Sequence, residues 1–179
     1  VESVVRTLVR DSELPEELNQ MAIKNLHLIA PEYIEWHYRH MHKKVQESSE
    51  IDYKKEDYYR AFLEATKRYI NLTKEKSEWN MDNGDFDMMS KVFGNDGKMT
   101  VIKKYKKPTG GEFDIETKKD IENGQKFLSM GMISGGRNPP SHEEITDLKN
   151  SDLFNEKDCL DLLSILSHLF RRLDDAEKR

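Results

Sequence analysis

One segment, residues 156–175, constrains the fold of this chain more than any other. Apolar side chains recur in it every three or four positions, which is the period of an α-helix; they are Cys159, Leu162, Leu163, Leu166, Leu169, Phe170 and Leu173. Leu160 and Ile165 widen this stripe beyond one helix face, so the helix needs apolar partners on two sides. The pattern predicts either the central helix of a monomeric bundle or a helix shared within a homodimer.

Other segments repeat the helical period. Residues 13–42 predict two helices that meet at Pro31, a residue suited to the first helical position. Ser48-Ser49-Glu50 is typical of a connection, and residues 55–76 predict a long amphipathic helix. We therefore predict an N-terminal helical extension over residues 1–50 and a helical domain over residues 51–179.

The second half of the chain continues this pattern around one irregular stretch. A short helix is predicted over residues 86–93, and a longer one over residues 116–133 that ends at Ser134-Gly135-Gly136. Between them, residues 94–114 are rich in glycine and predict a short irregular or hairpin insertion. Charged residues make up 35% and the AVILMFWYC set 36%, a balance that favours amphipathic helices over sheets. We expect an all-α fold.

Charge and cysteine content exclude several classes of protein. The formal net charge of −5 gives no overall attraction to nucleic acid, so any RNA contact must be local. A single cysteine, Cys159, excludes a disulfide framework and a thiolate metal cluster. No stretch approaches the roughly 20 apolar residues of a membrane span. We expect a cytoplasmic protein without membrane contact.

The segment Arg137-Asn138-Pro139-Pro140-Ser141-His142 carries the candidate chemistry. The two prolines disfavour a continuous helix, so the chain must stop and restart a helix here. Either Asn138 or Ser141 can cap the new helix. Both alternatives place His142 in its first turn, where unpaired N–H groups favour an anion such as phosphate.

These residue types suit metal-free cleavage of RNA. Arg137 can hold the phosphate, since a guanidinium is permanently charged. His142 can move protons near neutral pH, and Asn138 can fix the turn. Neither a metal nor another cofactor is expected. A second acid or base is not evident, and a dimer could supply it by bringing two copies of the segment together.

Three other features have competing interpretations. Lys103, Lys104 and Tyr105 can bind an RNA backbone and stack on a base, or they form a charged hairpin tip. His37, His40 and His42 lie close enough in sequence for a metal pair, although a solvated aromatic helix face is favoured. Arg171 and Arg172 are expected to be structural, with RNA contact as the alternative. Glu64 is expected to be a surface carboxylate, with orientation of His142 or Arg137 as the alternative.

The Arg137–His142 segment resembles the RNPxxH segment of HEPN proteins, in which Arg-x(4–6)-His marks ribonuclease toxins and defence factors. The resemblance continues in residues 59–65, 89–94 and 163–174, which are similar to the Ymh family of bacteria and phages. It covers roughly residues 52–175. Gly135-Gly136 departs from the family pattern, which more often has an apolar residue before the arginine, and Ser141 stands where a small residue such as alanine is commoner.

This resemblance implies an antiparallel, HEPN-like helical bundle, usually dimeric, with RNA as substrate. It implies a metal-independent endoribonuclease of HEPN type that serves as a phage-defence or toxin effector. The partners it implies are RNA, a second copy joined through the C-terminal helices, and an antitoxin or regulatory protein. In the alternative, a non-catalytic HEPN module binds RNA, nucleotide or a protein partner, and the segment is only a helix cap.

Overall fold

In the computed structural model, the described parts of the chain are Trp36 and residues 39–139, 142–151 and 153–179. Residues 41–179 form one compact unit. Its elements, in chain order, are α1 (Lys43–Lys54), α2 (Tyr58–Ser77), α3 (Asp85–Val92), β1 (Met99–Thr100), α4 (Ile115–Met132), α5 (Ile145–Asn150), α6 (Glu156–Asp175) and β2 (Glu177–Lys178). A π-helical turn, Ile133–Arg137, continues directly from α4. The all-α prediction is confirmed.

The core lies between α2 and α6. The helix α1 packs against both of them, while α4 packs against α6 and α3 packs against α4. Phe170 meets Tyr69 edge-on, with ring centroids 5.3 Å apart, and both side chains are fully buried. Burying one such aromatic side chain stabilises the fold by about 1.5–3 kcal/mol, so these two helices organise the unit.

Most of the broad apolar stripe of α6 is buried inside this unit, and Leu162 and Ile165 are half-buried. Its buried members are Cys159, Leu160, Leu163, Leu166, Leu169, Phe170 and Leu173. An Asn155 capping box starts the helix, with Asp158 as the reciprocal partner. The breadth of the stripe therefore requires no second chain, and the homodimer through this helix stays a prediction.

A buried polar network fastens α4 to the core. The Tyr69 hydroxyl bonds Ser129 Oγ at 2.8 Å and accepts a hydrogen bond from Gln125 Nε2 at 2.9 Å. Burial raises the pKa of Tyr69 above its ordinary value. Because buried polar groups are costly unless they are paired, this network sets the position of α4 against α2.

The predicted connection at Ser48-Ser49-Glu50 is wrong, because these residues lie within α1. Ser48 Oγ donates to the carbonyl of Lys44 at 2.7 Å, and Ser49 Oγ to that of Val45 at 2.5 Å. Such bonds to the preceding turn let serine continue a helix. Most of residues 1–50, including nearly all of the two helices expected over residues 13–42, lie outside the described residues, so the N-terminal extension stays a prediction.

The insertion at residues 94–114 is irregular and does not form a hairpin of its own. Its strand β1 pairs antiparallel with β2, in the register Met99 to Lys178 and Thr100 to Glu177. The buried Glu122 of α4 accepts hydrogen bonds from the Thr100 hydroxyl and the Val101 amide, and it lies 3.0 Å from Arg179. The insertion and β2 are thus fastened together onto the first half of α4.

Among the described helices, none combines the length and the apolarity that crossing a membrane requires.

Candidate functional site at the end of α4

The helix α4 does not stop at Ser134-Gly135-Gly136, contrary to the sequence prediction. It continues as a π turn through Arg137, and the Asn138 amide donates to the Ile133 carbonyl at 3.0 Å, five residues back. Glycine lowers helix stability without forcing an end, and here packing of the turn compensates. Single π turns are rare and are frequently found at functional sites.

Gly136 explains how this turn packs. A Cβ atom at this position would lie 2.0 Å from Phe62 Cε1 and 2.3 Å from Phe62 Cζ. Phe62 is itself fully buried in α2, so its ring has little room to move. The close approach of the turn to α2 therefore requires glycine before Arg137, where an apolar residue would clash.

Arg137 is held by a carboxylate that sequence reasoning missed. Its Nη2 lies 3.4 Å from Oδ2 of Asp85, whose Oδ1 lies 2.8 Å from Lys74 Nζ. The Asp85 side chain is 11% exposed, whereas that of Arg137 is 40% exposed. Asp85 is the first residue of α3, where the helix dipole favours a negative charge. The guanidinium is therefore oriented by Asp85 while part of it still faces solvent.

Asn138 and His142 do not occupy the positions predicted for them at the start of a new helix. Asn138 is half-buried with φ −73° and ψ −39°, which is helical geometry, so the prediction that it caps a new helix is wrong. Its backbone N–H donates the hydrogen bond that closes the π turn. The Pro139 carbonyl accepts hydrogen bonds from the amides of His142 at 3.0 Å and Glu143 at 3.1 Å. The chain therefore forms a separate turn after Pro139 before the next helix begins.

The helix α5 starts only at Ile145, so His142 lies before its first turn and is exposed. This corrects the prediction that His142 occupies a helix start, and a six-residue helix offers no developed anion site. Because α5 begins at Ile145 with Glu144 at its N-cap, the alternative in which Ser141 caps the new helix is also wrong. Ser141 itself lies outside the described residues, and its substrate-binding role stays a prediction. Arg137 ends the π turn, Asn138 follows it directly, and His142 lies in the connection that leads to α5.

The predicted RNA-binding residues Lys103, Lys104 and Tyr105 lie elsewhere. Lys103 Nζ is 2.7 Å from a Glu177 carboxylate, and both Lys104 and Tyr105 bond the Asp175 carboxylate. These hydrogen bonds lower the pKa of Asp175 below its usual range. The two arginines that were expected to be structural have contacts within the fold: Arg172 lies 4.7 Å from the Tyr105 ring, and Arg171 donates a hydrogen bond to Ser167.

This basic cluster is not brought beside Arg137. A cavity of about 570 Å³ lined by Lys103 also includes Glu122 of α4. Glu122 and Arg137 are separated by 15 positions, or roughly 22 Å at the α-helical rise. RNA contact by Lys103, Lys104 and Tyr105 stays a prediction.

Two of the remaining candidates, His42 and Glu64, have structural partners. His42 Nδ1 accepts the amide of Lys44 at 3.2 Å and caps α1, while its Nε2 lies 2.9 Å from Asp174. His37 lies outside the described residues. Glu64 lies 2.9 Å from Lys67 Nζ, which agrees with the predicted surface role.

Comparison with known proteins finds one family. No curated protein and no solved structure matches the chain. The model of a family described as "Protein of unknown function (Hypoth_ymh)" matches residues 39–173, which include every element from α1 to nearly the end of α6. The resemblance expected for roughly residues 52–175 is confirmed at the level of the Ymh family, while HEPN ancestry stays a prediction. Because the match covers more than half of its length, the chain belongs to the Hypoth_ymh family.

Proposed function

We propose that this protein is a metal-independent endoribonuclease of HEPN type, a phage-defence or toxin effector whose reacting residues are Arg137, Asn138 and His142. One observation carries the proposal: Arg137 is half exposed and oriented by Asp85 at the end of a π turn, and the exposed His142 follows five residues later. A pre-oriented guanidinium costs little reorganisation when it meets the phosphate.

The chemistry assigned to these groups is transesterification. His142 accepts the proton of the ribose 2′-hydroxyl, and the 2′ oxygen attacks phosphorus. The bond from phosphorus to the 5′ oxygen breaks, and that oxygen leaves with a proton from solvent. The products are a 2′,3′-cyclic phosphate and a 5′-hydroxyl end. Arg137 stabilises the negative charge that develops on the phosphorane oxygens, and Asn138 fixes the loop.

The proposed partners follow from the same residues. RNA is the substrate, and the net charge of −5 favours a selective substrate over nonspecific RNA. Ser141, Lys103, Lys104 and Tyr105 are the proposed substrate contacts. An antitoxin or regulatory protein would control such an activity.

The test is cleavage of total RNA and of tRNA in EDTA by the purified full-length chain. Arg137→Ala and His142→Ala should each lower the rate by about 10²–10⁴-fold, the usual contribution of a proton-transfer or charge-stabilising group. Arg68→Ala and His168→Ala are matched controls, because both residues are exposed and lie outside the proposed site. A Lys103→Gln/Lys104→Gln variant tests the substrate contacts through RNA affinity and its salt dependence.

Three results would overturn the proposal. They are no cleavage by the parent, cleavage by both site variants at the parent's rate, and products that lack a cyclic phosphate. A second candidate, a non-catalytic module that binds RNA, nucleotide or a protein, is favoured by the ion pair between Arg137 and Asp85. That pair partly neutralises the charge that a phosphate would use. Binding of RNA by the parent without cleavage would support this candidate.

A further inference from the structure

A polar cavity lies where the end of α3 meets α4. Its volume is about 280 Å³, and the residues that line it include Ser90, Lys91, Gly94, Asp96, Asn123 and Lys126. At about 30 Å³ per water molecule, the cavity has room for about nine waters. Arg137, Asn138 and His142 of the proposed ribonuclease site are not among the described residues that line it. The cavity is therefore a separate place at which a small ligand can bind.

The turn at residues 94–97 forms one wall of this cavity and is held in place by its neighbours. Gly94 has φ +98°, a conformation that favours glycine, and its carbonyl accepts the Gly97 amide at 3.1 Å. A Cβ atom at Gly97 would lie 2.5 Å from the Val92 carbonyl oxygen, so the turn packs directly on the end of α3. Arg179 Nη1 donates to the Gly94 and Gly97 carbonyls at 2.7 Å and 2.6 Å. These two carbonyls are therefore occupied.

The N–H groups of the same turn are open. Within the described chain, the amides of Gly94, Asn95 and Asp96 donate to no acceptor. Gly94 is buried, and buried backbone N–H groups are almost always paired. The trans peptide bond directs the Asn95 N–H opposite to the Gly94 carbonyl, and so away from Arg179. Successive N–H groups in such a turn form a concave donor that binds anions.

Two lysines bring positive charge to the cavity, Lys91 from α3 and Lys126 from α4. Neither ammonium has a carboxylate partner among the described residues. Lys126 is half-buried, and its stem crosses the turn, since a Cβ atom at Gly94 would lie 2.9 Å from Lys126 Cδ. Its ammonium lies 5.7 Å from the centroid of the Phe127 ring, a contact that leaves the charge available. Both lysines can therefore meet an anion that the open N–H groups also bind.

The other lining groups indicate what the anion carries. Asp96 is exposed and forms no ion pair with any described residue. Two ammonium groups exceed this carboxylate and the partial charge of about −0.5 at the end of α3, which suits a phosphate dianion. An inorganic phosphate, with four oxygens, fills only about half of nine water volumes and offers Asp96 few donors. Hydroxyl groups attached to the phosphate would donate to Asp96 and bond to Ser90 and Asn123.

We propose that this cavity binds a phosphomonoester of a small polyol. The phosphate accepts hydrogen bonds from the amides of residues 94–96 and from the ammonium groups of Lys91 and Lys126. The hydroxyls of the polyol meet Asp96 and Asn123. Binding is noncovalent and does not depend on the proposed ribonuclease activity, since Lys126 precedes Arg137 by 11 positions, roughly 16 Å at the α-helical rise.

The first experiment is a titration of the isotope-labelled full-length chain with glycerol 3-phosphate in chloride buffer, followed by amide NMR. The resonances of Gly94, Asn95 and Asp96 should move in a saturable manner, with a dissociation constant of about 1 mM or lower. Gly110 is the matched control, because it also has a positive φ but its amide already donates to the Lys107 carbonyl. Its resonance should stay in place.

A set of lysine variants tests the charge, with folding checked by circular dichroism. Lys91→Gln and Lys126→Gln should each raise the dissociation constant about tenfold, because each removes a charged hydrogen-bond donor. Lys98→Gln is the matched control, since Lys98 is exposed beside the same turn and lies over the Trp79 ring, outside the cavity. It should bind as the parent does.

Inorganic phosphate and RNA identify the source of the phosphate group. Weaker binding of inorganic phosphate than of glycerol 3-phosphate would support the polyol contacts, and equal binding would overturn them. An RNA oligonucleotide without a terminal phosphate that displaces glycerol 3-phosphate would assign the cavity to a nucleic-acid backbone and overturn the proposal. So would unmoved resonances of residues 94–96 at about 20 mM ligand, or equal weakening by all three lysine variants.

Discussion

The two ends of α4 place positive charge in different surroundings. At its far end, Arg137 shares the Asp85 carboxylate with Lys74. Near its beginning, Lys103 and Lys104 contact separate carboxylates, those of Glu177 and Asp175. Lys103 and Lys104 are therefore each matched by an acidic residue near the C-terminal end, while Arg137 shares its carboxylate with a lysine.

This difference separates lysines that pair with carboxylates at the surface from an arginine that a largely buried carboxylate orients. Exposed ion pairs such as those of Lys103 and Lys104 contribute about 0–1 kcal/mol each, and together they attach β2 to the insertion. Arg137 instead sits on a turn built by Gly136 against Phe62 and is oriented by a largely buried carboxylate. Closely spaced lysines in a sequence are thus weak evidence for a nucleic-acid site, because acidic residues far away in the sequence can pair with them.

The largest effect among these tests is expected for Gly136→Ala, which adds one methyl group between the π turn and α2. Gly136→Ala places a Cβ within 2.0–2.3 Å of the Phe62 ring, and such overpacking typically costs about 1–3 kcal/mol. The turn must shift, so RNA cleavage should fall with stability. Urea unfolding measures the free energy, and the cleavage assay measures the displacement of Arg137.

Gly135→Ala is the matched control for that change, because a Cβ atom there meets nothing within 4 Å. It should leave stability unchanged or raise it slightly, since alanine restricts the unfolded chain more than glycine does. Equal destabilisation by both variants would show that the contact with Phe62 does not support the turn.

Neutralising Asp85 tests the orientation of Arg137 with a smaller effect. Asp85→Asn removes the charge that holds the guanidinium, and the proposed cleavage rate should fall about tenfold, which corresponds to about 1.4 kcal/mol. Stability should fall by less than about 1 kcal/mol, because both cations are partly exposed. Steady-state kinetics at saturating RNA separate a lost rate from lost affinity.

Asp87→Asn is the control for Asp85→Asn, since Asp87 lies in the same first turn of α3 and is exposed. Its helix-dipole contribution is similar, but it has no part in holding Arg137. If both variants slow cleavage equally, the effect belongs to the helix and not to the ion pair.

The smallest expected effect is the pH dependence of the stability contributed by Asp175, which pairs with Lys104 at the other end of α4. Hydrogen bonds from Lys104 and Tyr105 lower the pKa of Asp175. A carboxyl whose folded pKa is depressed stabilises the fold above its ordinary pKa of about 4 and loses that contribution as the pH falls through the folded value. Asp175→Asn should therefore cost a few tenths of a kcal/mol at pH 7, typical of exposed pairs.

Urea unfolding of the parent and Asp175→Asn at pH 7 and pH 3 measures this effect. The difference between the two proteins should shrink at the lower pH. A difference that grows on acidification would mean that Asp175 does not fasten the C-terminal segment through its charge.

Sequence patterns predicted much of this fold and part of the site. The bounds of α2, α3, α4 and α6 agree with the structure to within a few residues, because an apolar period near 3.6 directly reflects which face of a helix is buried. The segment from Arg137 to His142 was chosen as the candidate site from its residue types, its prolines and the family resemblance, and its role stays a prediction. The serines of α1 and the glycines after α4 were misread as breaks, because local propensity is weak against packing.

The sequence by itself determined the helical class, the order of the main helices and the residues of the candidate loop, because these depend on neighbours within about one or two turns. Only the tertiary structure decided that Asp85 orients Arg137, that Phe62 requires Gly136, and that β2 pairs with β1. Each of these contacts joins residues more than 50 positions apart. Such pairs are selected by the way the helices pack, and no local spacing in the chain records them.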